Sequence, residues 1–250
     1  MHHLSERALA ADTVGLLEGL CTTRAIRRYA PDPVPEDVLR DILFAATRAP
    51  SGSNRQPFRF IVLQDGPKAR EAKRLMGDAA RAMWRYKEEH DGYTRGSGTV
   101  DNSPKSRMAR VMAEYVEHFE QTPVVVLPCL IRYRGPSSSE GGSVYPACQN
   151  LLLAARALGY GGVLTGFHHA VEDELQALLD IPEGVFIAAT ITLGRPLGNH
   201  GTVRRRPIEE MVFEEGWGES APWAHDPPGT RFTSAGPPSA PTERVPPKPQ

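Results

Sequence analysis

A short polar loop between two prolines constrains the fold on both sides of residues 49–60, APSGSNRQPFRF. The residue before a proline is pushed out of helical space, so Pro50 ends the helical pattern that precedes the loop. Phe58 begins a run of strand-forming residues on the other side. The loop has more hydrogen-bonding capacity than a connector needs, from Ser51, Ser53, Asn54, Arg55 and Gln56. We predict a ligand-binding loop, with a plain surface turn as the alternative from these residues alone.

The rest of the chain alternates helical patterns with short apolar runs. Helical spacing predicts helices over residues 35–48, 69–90, 105–121, 144–158 and 172–179. Strand-forming runs predict strands over residues 58–63, 123–131, around Val163 and over 185–193. The helix at 144–158 is apolar on nearly all sides, so we expect it to be central or to lie in a subunit interface.

Composition divides the chain into three regions. Residues 1–19 predict a helical lead-in, and residues 20–217 predict one domain. Residues 218–250 are rich in proline and poor in apolar residues, so we expect a disordered tail.

Residues 68–121 are dense in charge and predict a helical insertion that acts as a lid, with a mobile loop at 92–106. Its aromatic residues have two possible roles, stacking on an aromatic ligand or packing onto the core, and packing is the expectation. These residues are Trp84, Tyr86, Tyr93, Tyr115 and Phe119.

Charge and cysteine usage exclude several classes of protein. Lys and Arg number 29 against 30 Asp and Glu, so the net charge of -1 gives no general attraction to nucleic acid or to an anionic membrane. The three cysteines are widely spaced and form no CxxC pair, so we expect neither a disulfide framework nor a metal site. No apolar run reaches the roughly 20 residues that a membrane span needs. The N-terminus lacks a secretory signal, so we expect a cytoplasmic protein.

Two basic segments lie far apart in the sequence, TTRAIRRY at 22–29 and VRRRP at 203–207. Guanidinium groups offer forked, charge-assisted hydrogen bonds to phosphate. Gly166 lies in a loop where backbone N–H groups can approach a ring. Neither a Walker loop nor a GxGxxG motif is present, which argues against a P-loop nucleotide site and against a Rossmann dinucleotide site.

In this order, five segments resemble the FMN-dependent nitroreductase family. They are TRAIRRY, PVPEDVLRDILFAATRAPSGSNRQPFRFIVL, ACQNLLLAARALGYGGVLTGF, IPEGVFIAATITLGRP and RRRPIEEMVF. The resemblance spans roughly residues 20 to 215 and leaves the insertion and both termini outside it.

The resemblance implies an α+β, three-layer fold, with a central mixed sheet flanked by helices. It also implies a domain-crossed homodimer with one FMN in each of two interface clefts. The cofactor-binding positions that it implies are Thr23, Arg24, Ala25, Arg27 and Arg205, with Pro50, Ser51 and Asn54 from the second subunit, and Thr165 and Gly166 beside the N5 edge of the flavin.

The first basic segment departs from the Arg-Arg-Ser-x-Arg pattern of the family. Thr23 stands for the first arginine and Ala25 for the serine, so one charge and one hydroxyl are missing. Arg24 and Arg204 are candidates to compensate. The departure predicts that FMN binds more weakly than is usual in the family and dissociates during purification.

The resemblance implies a two-step reaction in which NADH or NADPH reduces the flavin at N5 and a small acceptor, such as a nitroaromatic or a quinone, then takes the electrons. Arg27 is the candidate for electrostatic stabilisation near N1. No protein acid or base is required, and for His168 and His169 a solvent-exposed or capping role is expected.

Three alternatives stay open. Two are specialised enzymes, a reductive dehalogenase of the iodotyrosine deiodinase type and a flavin-consuming benzimidazole synthase. The third is a protein that sequesters FMN without turnover, which the altered first segment permits.

Overall fold

The computed structural model describes residues 12–133, 135–137 and 139–233. The described residues form six α-helices and five strands in mixed order. The helices are α1 (Leu16–Thr22), α2 (Glu36–Ala46), α3 (Pro67–His90), α4 (Pro104–Glu117), α5 (Tyr145–Ala157) and α6 (Glu172–Leu178). The strands are β1 (Phe58–Leu63), β2 (Val124–Ile131), β3 (Gly161–Thr165), β4 (Val185–Ile187) and β5 (Thr190–Gly194).

The sheet has the strand order β1-β2-β5-β3, and β4 pairs with the far end of β2. The predicted α+β fold is confirmed. The prediction of a mixed sheet is wrong, because every strand pair in the described sheet is antiparallel. The α3–α4 hairpin reverses the chain between β1 and β2. β2 and β3 run in the same direction, but β5 lies between them.

Burial of β2 on both faces produces the three layers. Its apolar residues point alternately to opposite sides, as a strand requires. Val124, Val126 and Leu130 belong to the core under α2 and α5, whereas Val125, Leu127 and Cys129 belong to the core under α3, α4 and α6. A strand that is covered on both faces reads as a continuous apolar run, which is how PVVVLPCLI appears in the sequence.

The predicted strand at 185–193 is interrupted opposite Pro128. Ala188 donates its N–H to the carbonyl of Pro128 at 2.8 Å, but proline has no N–H to return. The carbonyl of Ala188 instead accepts from the hydroxyl of Tyr145 at 3.2 Å. The register shifts by one residue at this point, from Cys129 opposite Ile187 to Val126 opposite Ile191. Proline thus sits in a central strand at a bulge, where its missing donor is tolerated.

The predicted helical insertion is present as α3 and α4, and it is part of the core. Ala72, Met76 and Ala80 of α3 are fully buried. Trp84 packs on Tyr93, with ring centroids 5.0 Å apart. The expected packing role of the aromatic residues is confirmed for Trp84, Tyr93, Tyr115 and Phe119, whereas Tyr86 is exposed and stacks on His90.

The chain divides into two compact units, residues 1–201 and 202–250. In the second unit, the described residues form a short 3-10 turn at Ile208–Glu210 and an isolated bridge between Phe213 and Ser220. The carboxylate of Asp226 accepts the N–H of Ile208 at 2.9 Å. Residues 1–11 of the predicted lead-in and residues 234–250 of the predicted tail lie outside the described residues. The domain boundaries therefore stay predictions.

Across the described ranges, no helix combines the length and the apolar character needed to cross a bilayer.

A buried lysine joins the ends of β1 and β2. Lys73 is 4% exposed, and its Nζ donates to the carbonyls of Gln64 at 2.6 Å and Thr122 at 2.7 Å. Burial lowers the pKa of Lys73 to about 8, and Asp65 opposes this shift. Lys73 therefore satisfies two backbone acceptors at the edge of the core, at the cost of desolvating its amine.

We expect Lys73→Met to lower the free energy of unfolding by about 1–3 kcal/mol at pH 7.5, because it leaves buried carbonyls without donors. Folded Lys73 loses its proton near pH 8, and the unfolded chain does so near pH 10.4. Between these values the unfolded chain binds more protons, so the contribution of Lys73 to stability rises with pH. The difference between wild type and variant, measured by urea denaturation, should grow from pH 8 to pH 10.

Lys68→Met on the same helix is the matched control, since Lys68 is exposed and pairs with Asp180. This account of Lys73 would be contradicted if Lys73→Met and Lys68→Met lowered the free energy of unfolding equally. It would also be contradicted if the difference in stability between wild type and Lys73→Met shrank as pH rises.

Candidate functional site

The first basic segment lies against β3 and β5. Thr23 ends α1, with its N–H bonded to the carbonyl of Gly19 at 2.8 Å. Ile26 then donates its N–H to the carbonyl of Gly162 at 3.0 Å. A Cβ on Gly161 would lie 2.7 Å from the Ile26 side chain, so this close approach requires glycine. The segment is thereby fixed against the sheet by backbone contacts.

A second glycine, Gly194, allows Tyr29 at the end of the segment to pack closely against β5. A Cβ on Gly194 would lie 2.9 Å from the ring of Tyr29, and Tyr29 forms an isolated bridge with Pro196. Glycines in β3 and β5 therefore create the groove in which residues 23–29 lie.

Arg27 is the least exposed of the three arginines in this segment. Its guanidinium is partly buried, and its Nε has no hydrogen-bond partner within the described chain. Burial lowers the pKa of Arg27, and Tyr115 and Tyr29 act in the opposite direction. Arg27 also borders a cavity of about 250 Å³ with Glu114 and His118. A desolvated guanidinium with a free donor is suited to an electron-rich acceptor from outside the chain.

A hydroxyl network lies beside Arg27. The hydroxyls of Tyr29 and Tyr115 each lie 2.8 Å from Oγ1 of Thr192 on β5. The Tyr29 hydroxyl also donates to the carbonyl of Ile26 at 2.5 Å. Burial raises the pKa of both tyrosines, so they remain neutral hydrogen-bonding groups. Sequence reasoning missed Thr192, because a threonine within an apolar strand has no distinguishing pattern.

The other residues of the segment have different environments. Arg28 forms an ion pair with Glu114 of α4. Arg24 and Ala25 are exposed. Oγ1 of Thr23 donates to the carbonyl of Gly19 at 2.7 Å, so its hydroxyl hydrogen is already used in ending α1. Thr23 therefore does not replace the missing guanidinium as a hydrogen-bond donor.

The end of β3 carries Thr165 and Gly166. Oγ1 of Thr165 donates to the carbonyl of Thr190 at 3.2 Å, which fixes the side chain against β5. Gly162, where the basic segment lies, and Thr165 are three residues apart on β3, a separation of about 10 Å. The structure therefore brings the predicted residues 23–27 and 165–166 to one strand.

His168 and His169 differ from each other. A solvent-exposed or capping role was expected for both: His169 is exposed, but His168 is completely buried, so a solvent-exposed role is wrong for His168. Nδ1 of His168 lies 3.1 Å from Oγ1 of Thr190. Burial, and secondarily the nearby His169, lowers the pKa of His168 to about 4. His168 is therefore neutral at physiological pH.

The loop at 50–56 has a strained backbone. Ser53, Asn54 and Gln56 have φ of 52°, 51° and 49°, in the left-handed region that non-glycine residues rarely adopt. Oγ of Ser51 accepts the N–H of Gln56 at 2.9 Å, and the N–H of Gly52 donates to Oγ of Ser143 at 3.2 Å. Strain of this kind is often retained where a loop binds a ligand.

The loop at 50–56 and Arg205 have hydrogen-bond partners of their own. In the part of the chain that the structure describes, no hydrogen bond joins the 50–56 loop, including Pro50, Ser51 and Asn54, to residues 23–27 or 165–166. Arg205 belongs to the second unit, where it forms a bridge with Phe232 and its Nη1 donates to the carbonyl of Arg204.

The family model for the nitroreductase family matches residues 21–195. The chain belongs to the nitroreductase family. The match begins just before the first basic segment and ends with β5. It therefore covers the sheet, both cores and the groove around Arg27.

Several curated proteins resemble this nitroreductase family member. An NADH dehydrogenase of Thermus thermophilus is 28% identical over 198 residues, covering 76% of this chain and 91% of the relative. A putative NADH dehydrogenase/NAD(P)H nitroreductase of Archaeoglobus fulgidus is 31% identical over 182 residues, 72% of this chain and 84% of the relative. A 5,6-dimethylbenzimidazole synthase of Rhodospirillum rubrum is 29% identical, covering 80% and 87%.

Among solved structures, the NADPH:FMN oxidoreductase of Vibrio harveyi in complex with NAD+ matches with a TM-score of 0.60. The sequences are 19% identical, and the match covers 82% of this chain and 79% of the other. This likeness establishes the nitroreductase fold.

We expect Thr192→Val to lower the free energy of unfolding by about 1–3 kcal/mol, because the hydroxyls of Tyr29 and Tyr115 lose a shared buried partner. Valine keeps the volume of threonine, so the effect reports the hydroxyl. Thr99→Val is the control at an exposed position and should change stability by less than about 0.5 kcal/mol. Equal urea midpoints for the two variants would contradict the role given to the network.

Proposed function

We propose that this chain is an NAD(P)H-dependent FMN oxidoreductase that passes a hydride to a small acceptor, such as a nitroaromatic or a quinone, in a two-step cycle. Flavin-dependent oxidation of NAD(P)H follows from membership of the family and from the activities named for its relatives. The acceptor class and the two-step cycle are the finer part of the proposal.

The observation that carries the proposal is the unpaired Nε of Arg27. Its Nε is buried and lacks a partner in the described chain. A buried donor without an acceptor costs free energy that a bound ligand can recover. Ile26 bonds to Gly162 of β3 and Tyr29 contacts Thr192 of β5, so the segment offers the charge of Arg27 from a fixed position on the sheet.

The residues of the groove fit FMN, which has an anionic phosphate and a ring with electron-rich edges. Bound FMN supplies hydride acceptance and delivery at N5. Arg27 is the candidate for the cation at the edge of the ring that gains electron density. Arg24 is exposed and is the candidate in this segment for the phosphate, because the Thr23 hydroxyl is engaged with Gly19. Arg205 stays a phosphate-binding prediction from the resemblance.

Thr165 and Gly166 form the other end of the proposed ring site. The Thr165 side chain is oriented by its bond to Thr190. Gly166 is exposed, and a Cβ at this position would lie 2.7 Å from the ring of His169, so the close approach of His169 requires glycine. The proposed reaction does not require these residues to transfer a proton. Their role is to orient the ring and to leave one of its faces open.

A homodimer completes the proposal. A cavity of about 320 Å³ lies between α1, α2 and α5, and its lining is mainly apolar. Leu16 and Leu17 of α1 are 70% and 76% exposed, and Leu153 of α5 is only partly buried. An apolar surface of this kind is typical of a subunit interface. In such a dimer, Pro50, Ser51 and Asn54 of each copy are proposed to contact the FMN of the other.

The function is tested by titrating the purified full chain with FMN and measuring NADH and NADPH oxidation with a nitroaromatic or a quinone. FMN-dependent turnover with parallel double-reciprocal lines is expected. Flavin binding without turnover would identify an FMN-sequestering protein instead. Loss of the flavin itself under oxygen would identify a benzimidazole synthase, and iodide release from iodotyrosine a dehalogenase.

We expect Arg27→Ala to weaken FMN binding at least about 10-fold, since a charge-assisted hydrogen bond contributes about 1.5–3 kcal/mol. The rate of flavin reduction by NADPH, measured by stopped flow at saturating FMN, should fall as well. Arg27→Lys keeps the charge without the forked donors and should be intermediate. Arg85→Ala, at an exposed position of α3, is the control. Unchanged reduction in Arg27→Ala would refute the role of Arg27.

We expect the wild-type chain to sediment as a dimer and Leu16→Glu to weaken the dimer at least about 10-fold, because a charge would be buried in an apolar interface. Val100→Glu, which adds the same charge at an exposed residue of the insertion, should leave the dimer intact. A monomeric wild type at micromolar concentration would rule out this interface.

A further inference from the structure

Three potential metal ligands meet where the chain leaves β3 and enters α6. The ligand atoms of His168, His169 and Glu172 all lie within 4.8 Å of one another. The two histidines are adjacent in sequence, and Glu172 is the first residue of α6. The short connection therefore gathers two imidazoles and one carboxylate in five residues.

His168 has an unsatisfied nitrogen in the interior. The residue is completely buried, and its Nε2 has no hydrogen-bond partner among the described residues. Buried polar atoms in native proteins are nearly always paired, and an unpaired one indicates a missing water, an ion or a functional role. This observation is independent of the proximity of the three side chains.

Thr190 makes the hydrogen-bond contact of the His168 ring at Nδ1. Oγ1 of Thr190 donates to Sδ of Met76 at 3.6 Å, and a hydroxyl has only one hydrogen. Nδ1 of His168 lies 3.1 Å from the same hydroxyl, whose oxygen accepts the ring proton in the tautomer that is protonated on Nδ1. Nε2 then has a free lone pair. A metal-ligating histidine is typically fixed in this way, through a hydrogen bond from its other nitrogen.

Glu172 is oriented in a similar way. Its Oε1 accepts the N–H of Ile187 at 3.1 Å, which fixes the carboxylate and leaves its other oxygen available. His169 is exposed, with its ring centroid 4.0 Å from that of His168. Ligands of a tetrahedral ion at about 2.1 Å are separated by about 3.4 Å, so ion binding would draw together the three ligand atoms, which here lie within 4.8 Å of one another.

We propose that His168, His169 and Glu172 bind one divalent transition-metal ion of the Zn²⁺ class. Two neutral imidazoles and one carboxylate are a ligand set that Zn²⁺ and Co²⁺ accept, with a further position for water at the exposed side. The metal links the loop that follows Thr165 and Gly166 to α6 and, through the Glu172 bond, to β4. The inference goes beyond the proposed oxidoreductase function and does not depend on it.

The test is a titration of the full chain, stripped of metal with EDTA and dialysed, with ZnCl₂ in a calorimeter. One Zn²⁺ per chain is expected. CoCl₂ should give the visible absorption of four- or five-coordinate Co²⁺. His169→Ala and Glu172→Gln should each weaken Zn²⁺ binding at least about 10-fold. Glutamine retains an acceptor for the Ile187 N–H, and His169 is exposed, so both variants are expected to fold, as circular dichroism without metal checks.

Two controls separate this site from other histidines. His90→Ala removes an exposed histidine of α3, and a His2→Ala/His3→Ala double variant removes the adjacent pair at the N-terminus. Both should retain one Zn²⁺ per chain with unchanged affinity. The proposal is overturned if wild type shows no saturable binding, if His169→Ala and Glu172→Gln bind as wild type does, or if either control loses the ion.

Discussion

Burial of β2 on both faces is the constraint on which the rest of the structure depends. Because Val124, Val126 and Leu130 face one core and Val125, Leu127 and Cys129 face the other, helices must cover both sides of the sheet. Pro128 has no N–H to donate, so the strand paired with β2 bulges at Ala188. The carbonyl of Ala188 accepts instead from the hydroxyl of Tyr145. The division of the last strand into β4 and β5 follows from that one missing donor.

The groove for the first basic segment is built on this sheet. Glycines at 161 and 194 let the segment approach closely enough for Ile26 to bond to Gly162, and Arg27 lines the cavity together with Tyr29 and Tyr115. Desolvation of the guanidinium strengthens its interaction with an anionic or electron-rich ligand, because screening by water is reduced. The same sheet orients Thr165 through Thr190, so both ends of the proposed flavin site are positioned by β3 and β5.

Local patterns predicted much of the secondary structure for physical reasons that act within a few residues. The residues of β1 were predicted without error, since Pro57 and Asp65-Gly66-Pro67 bound an apolar run. The helices of the insertion begin at Pro67 and Pro104, which suit the first helical turn. The directions of the strands were not predictable in this way, because they depend on which strands become neighbours.

The sequence by itself determined the family and the order of helices and strands, and it supplied the candidate cofactor-binding residues, because short motifs and apolar periodicity act locally. Only the tertiary structure decided the environments of those residues. It engaged the Thr23 hydroxyl with Gly19, left Nε of Arg27 buried without a partner within the described chain, and buried His168 beside the exposed His169. Burial and hydrogen-bond partners arise from contacts between residues far apart in the chain, such as Tyr115 with Thr192, and no local pattern encodes them.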